Sequence, residues 1–141
     1  MKVYVAGSSS NYERAISVTD ALHRVGIETT YDWCTQVAAD RAAGRTDADL
    51  TPRQAAEIRS ACYAGVRAAT VVLWLSEGSE GAGHETGYAI GRRIPVIVVG
   101  EGHAIFGPPA YPDEEGPIAR FRTDARAVEH LAWRARERRC A

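Results

Sequence analysis

Two short runs constrain this chain more than any other feature. Val71–Leu75 (VVLWL) and Ile94–Val99 (IPVIVV) are apolar throughout, with none of the polar alternation of a strand that has one face in water. Strands of that kind need cover on both faces, the condition of a parallel sheet packed between helices. The intervening sequence supplies the helices. Ala15, Val18, Leu22 and Val25 recur at helical spacing before Gly26, which is placed to end that helix in the left-handed conformation. Thr51-Pro52-Arg53-Gln54 is a helix start in which Thr51 caps, Pro52 suits the first position and Gln54 reaches back. The helix it opens extends to about Ala68, with Ala55, Ile58, Cys62 and Val66 on one side.

Further strands are expected at Lys2–Ala6, Ile27–Tyr31 and Ile118–Arg122, a short helix from His84 to about Gly91, and a last helix capped by Thr123 or Asp124. Cys34–Leu50 carries no clear period. Strands alternating with helices predict a three-layer α/β/α sandwich around a five-stranded parallel sheet, of flavodoxin or Rossmann-like plan. At 141 residues the whole chain, 1–141, reads as a single domain.

Composition excludes several function classes. Seventeen Lys plus Arg against eighteen Asp plus Glu leave a net charge of -1, without the basic surplus of a nucleic-acid binder. The apolar runs are strand-sized, so no membrane partner is expected. Cys34, Cys62 and Cys140 are too widely spaced for a zinc site or a disulfide framework, and His23, His103 and His130 are scattered, so neither metal nor cofactor is expected. No signal-type stretch opens the sequence, which reads as cytoplasmic.

In open parallel sheets ligands bind beyond the carboxyl ends of the strands. Three loops lie there: Gly7–Asn11, Asp32–Thr35 and Ser76–Glu85. In the third, Gly81 and Gly83 clear side-chain bulk, and Glu85 is expected in the first turn of the following helix, where the dipole favours its ionised form. A carboxylate there serves as a nucleophile or as a stabiliser of an oxocarbenium ion, or simply as a favourable first-turn acid. Ser8, Ser9 and Ser10 offer either hydroxyls to a phosphate or a helix cap. Asp32 suits ribose hydroxyls and Trp33 a base, or a turn and core packing respectively. Arg14, one turn into the first helix, either steers an anion or is solvated.

Lys2-Val3-Tyr4-Val5-Ala6-Gly7-Ser8, together with Gly83-His84-Glu85-Thr86-Gly87-Tyr88-Ala89, resembles the nucleoside 2-deoxyribosyltransferase family and its nucleotide N-hydrolase relatives. The resemblance implies that Glu85 is the catalytic carboxylate, that Tyr4 orients it or contacts the sugar, and that Ser8 lies at the phosphate or sugar end. Ser79 stands where the transferases carry an aspartate and the monophosphate hydrolases a serine, which leans the chain towards hydrolysis. The family's helix aspartate is missing near Ser60-Ala61-Cys62, with Glu57 a turn away. The expected activity is cleavage or transfer at the N-glycosidic bond of a nucleoside or nucleoside 5′-monophosphate. The alternatives are a Toll/interleukin-receptor-like NAD hydrolase and a non-catalytic nucleotide sensor. A homodimer or larger homo-oligomer is implied, with Tyr63, Trp74 and Trp133 as aromatic surface for it. Gly100–Pro117, with four of the six prolines, is placed to cover the pocket as a lid, or is a passive connector.

Overall fold

A computed structural model describes residues 1–76, 79–100 and 118–140. Five strands, β1 (Lys2–Ala6), β2 (Glu28–Thr29), β3 (Val71–Leu75), β4 (Val96–Val99) and β5 (Ile118–Phe121), form one sheet in the order β2-β1-β3-β4-β5. Every neighbouring pair is parallel. The helices are α1 (Tyr12–Arg24), α2 (Trp33–Ala42), α3 (Pro52–Ala68), α4 (Glu80–Gly91) and α5 (Asp124–Cys140). Helix α1 packs on α5, and α3 on α4. Right-handed crossovers place these two pairs on opposite faces, giving the three layers expected.

The core lies where the apolar runs indicated. Val3, Tyr4, Val5 and Ala6 of β1, all of β3 and all of β4 are buried. The helix ends follow local chemistry. Thr51 and Gln54 form a reciprocal capping box at the start of α3, and Gly26 follows α1 with φ of 75°. Thr123 caps α5, its hydroxyl accepting from the Arg126 amide at 3.4 Å.

Some expectations are corrected. The second strand is two residues long rather than five, because Ile27 is buried against the core without extending the ladder. The unassigned stretch after Cys34 contains most of α2 and a 3-10 turn at Asp47–Asp49. Arg14 is neither solvated nor an anion guide. It grips Asp124 through Nε at 2.9 Å and NH2 at 2.6 Å, tying α1 to the start of α5. Trp74 is 2% exposed and belongs to the core, whereas Trp133 is 52% exposed; Tyr63 packs edge-on against Tyr88. The lid expected at Gly100–Pro117 lies, apart from Gly100, outside the described residues.

Candidate active site

The strand order reverses direction between β1 and β3, since β2 lies to one side of β1 and β4 to the far side of β3. Such a switch point opens a crevice at the carboxyl ends of the two strands. A cleft of about 430 Å³ lies there. Its wall includes Gly7 and Ser9 from the loop after β1, Trp33 from α2, Cys62 from α3, and Ser79, Gly81 and Glu85 from the start of α4.

Helix α4 begins a full turn earlier than the glycines suggested. Ser79 is its cap, with its hydroxyl accepting from the Ala82 amide at 3.4 Å. Ala82, Thr86 and Ala89 form its buried stripe, and the Thr86 hydroxyl donates to the Ala82 carbonyl at 2.7 Å. Glu85 is therefore the sixth residue of the helix, not a first-turn acid, and the dipole argument for it does not hold. That place belongs to Glu80. Glu85 borders the buried stripe instead, half-buried against β1 and α3.

Its surroundings give it a different electrostatic character. Burial raises the Glu85 carboxyl above its ordinary value, while Tyr4 and Cys62 oppose the rise by stabilising the carboxylate. Tyr4 is fully buried on β1. Burial, then the Glu85 charge, pushes its phenol far upward, so the phenolic proton stays on. Burial pushes the Cys62 thiol up to about 11, and it too stays protonated. The Tyr4 hydroxyl is near enough to act on Glu85 and Cys62 but meets neither at full hydrogen-bond distance and angle. A desolvated carboxylate flanked by two neutral donors is a charge poised for a cationic partner.

The remaining site residues divide. Trp33 lines the cleft, but its indole N–H is already committed to the Val5 carbonyl at 2.7 Å, so it presents only ring surface. Gly7 lets that ring approach, since a Cβ there would sit 3.4 Å from Trp33 Cζ2. Ser9 donates to Asp47 Oδ2 at 2.6 Å. Ser8 is not brought to the cleft wall. It caps the short 3-10 turn before α1, accepting from the Ser10 amide at 3.2 Å. Asp32 is likewise a cap, for α2, bonded by the Thr35 amide and the Cys34 thiol. Burial opposes its ionisation, but those two donors outweigh burial and hold the carboxyl below its usual value. Gly83 faces open space away from the cleft.

Several lining residues were missed. Arg41, Asp47 and Arg59 reach the cleft; the first two come from the stretch whose sequence has no clear period. Cys62 stands where an aspartate was sought, and Glu57 is turned to Arg53 at 2.9 Å. Among the described residues, no three His, Cys, Asp or Glu side chains gather as a metal site. No described helix is long and apolar enough to cross a membrane.

No protein-family profile matches the chain, and no curated protein sequence matches it. Among solved structures it is similar to the Clostridium botulinum CMP N-glycosidase BcmB, with a TM-score of 0.59 and 14% sequence identity. The match covers 93% of this chain and 98% of that one. At that identity the likeness establishes a shared fold.

Proposed function

We propose that the cleft breaks the N-glycosidic bond of a nucleoside or nucleoside 5′-monophosphate, with Glu85 as the catalytic carboxylate and hydrolysis favoured over transfer. The observation that carries this reading is that Glu85 and Cys62 line the switch-point cleft, with Tyr4 buried directly behind them. In the reaction the C1′–N bond breaks and the base leaves with the bonding pair. Glu85 either bonds to C1′ or holds its positive charge, following the retaining logic of glycosidases. Water then adds to C1′ and releases the free sugar and the carboxylate.

Burial serves this step, because a desolvated carboxylate interacts more strongly with an oxocarbenium-like carbon than one in bulk water. Tyr4 and Cys62 favour the ionised carboxylate against burial without competing for its charge. Trp33 offers a ring face to the base. Among the described residues the other lining carboxylates are engaged: Asp40 by Arg45 and Asp47 by Arg41. On this reading the departing base takes its proton from water. The shared fold of an enzyme named as a CMP N-glycosidase supports the reading.

The test is incubation with a panel of nucleosides, their 5′-monophosphates and NAD, following free base by chromatography. Release of a nucleobase by the wild type, lost in Glu85→Gln, is the expected result. Nicotinamide release alone would reassign the cleft to NAD cleavage, and tight binding without any base release over hours would make it a sensor.

A further inference from the structure

The charged side chains of the cleft are unevenly committed. Arg41 donates through NH2 to Asp47 Oδ1 at 2.8 Å, and Asp47 Oδ2 accepts from the Ser9 hydroxyl at 2.6 Å. Ser9 is the hydroxyl of the loop after β1 that reaches the cleft wall. Thirty-eight residues separate it from Asp47, so the contact is tertiary. A phosphate entering the cleft on this side would look for a hydroxyl and a guanidinium. Both already serve the chain's own carboxylate.

We infer that Asp47 sets the charge of the accepted substrate: building on the N-glycosidase reading, the cleft takes nucleosides whose sugar ends in a neutral hydroxyl and discriminates against 5′-phosphates. The chemistry is asymmetric. An ionised carboxylate accepts at about four lone-pair positions, so Asp47 keeps capacity for a sugar hydroxyl after Ser9 and Arg41 have bound. A phosphate dianion has no proton to donate, meets a like charge, and finds the Ser9 hydroxyl proton and part of the Arg41 guanidinium already given to Asp47. Discrimination by a built-in repulsive group of this kind needs no separate recognition of the correct ligand. The Ser9 hydrogen bond, then Arg41, holds the Asp47 carboxyl below its usual range, so the charge is present throughout the neutral region.

Arg41 offsets only part of the Asp47 charge within the cleft. Arg59 has no ion pair among the described residues, but it is exposed to water and screened. Because Asp47 is itself 58% exposed, the discrimination is modest. Like charges about 4 Å apart in water amount to a preference of about fivefold or more.

The experiment compares kcat/KM for matched nucleosides and 5′-monophosphates in the wild type and in Asp47→Asn. The wild type is expected to favour the nucleoside by about fivefold or more, and Asp47→Asn to shift the ratio towards the monophosphate by a similar factor. A wild-type preference for monophosphates overturns the inference whether or not the variant folds. Loss of that preference in Arg59→Ala would then assign the phosphate to Arg59. An unchanged ratio in a folded Asp47→Asn also overturns it. In both cases base release itself stands, whereas no base release from any substrate sinks the N-glycosidase reading instead.

Discussion

Gly65 lies flush against the ring of Tyr4: a Cβ at that position would stand 2.9 Å from Tyr4 Cδ2 and 2.8 Å from Tyr31 Cβ. The second contact is with a Cβ carbon, which cannot swing aside. Gly65 thus sets how closely α3 approaches β1, and with it where Cys62 meets Tyr4 and Glu85. Gly65→Ala is expected to destabilise the protein by about 1–3 kcal/mol through overpacking. It should also lower base release beyond the loss of folded protein. Denaturant unfolding and activity per folded molecule check the two parts, and an alanine variant of wild-type stability would remove Gly65 from this role.

Replacing the carboxylate should separate chemistry from stability. Glu85→Gln keeps the volume and removes the charge, so base release should fall by about 10²–10⁴-fold with the fold preserved. Turnover is measured by chromatography and the fold by circular dichroism. Wild-type turnover in Glu85→Gln would rule out Glu85 as the catalytic group.

The raised Glu85 carboxyl has a definite sign in stability. A folded-state pKa above the unfolded value favours the protonated form, so Glu85 adds stability at low pH and loses it as pH rises through the folded value. Glu85→Gln should therefore melt at or above the wild-type temperature near neutral pH, with that advantage shrinking below the ordinary glutamate range. Melting curves across pH 4 to about 8 follow it.

The same shift governs activity. If ionised Glu85 is the working form, as proposed, the acid limb of the kcat/KM profile should lie above the ordinary glutamate value. Tyr4→Phe and Cys62→Ala each remove a group that opposes the rise, and each should move that limb further upward. A limb that stays in place in both variants would show that neither side chain acts on Glu85.

Trp33 carries a structural bond and a cleft surface at once. Trp33→Phe removes the indole donor to the Val5 carbonyl, costing about 1 kcal/mol, and thins the wall beside Gly7. If the ring stacks on the base, as proposed, weaker substrate binding (a raised KM) is expected, with kcat less affected. A change in kcat alone would place Trp33 nearer the reacting carbon.

Where a signal is local, the sequence was readable. Thr51 and Gln54 announce α3 because both partners of the capping box lie within four residues. The buried strands β3 and β4 are equally plain, since nothing polar interrupts them. Misreadings arise where tertiary packing decides. Helix α4 starts amid glycines that local propensity assigns to a loop, yet burial of Ala82 and Thr86 carries the helix back to Ser79. Helix α2 buries only Trp33 and Cys34, too little for a helical period to show. Asp47 follows from that gap: its meaning lies in Ser9, which no spacing rule connects to it.

Among the described residues, every side chain on the cleft wall falls between Gly7 and Glu85, while β4, β5 and α5 contribute none. The later part of the fold is thus a buttress, held to the earlier part by β3 and by the Arg14–Asp124 grip. Sequence change in β4, β5 and α5 can raise or lower the lifetime of the native state without altering a residue of the cleft wall. Among the described residues, durability is thus adjustable from elements that hold none of the cleft wall, whereas ligand preference is set between Gly7 and Glu85.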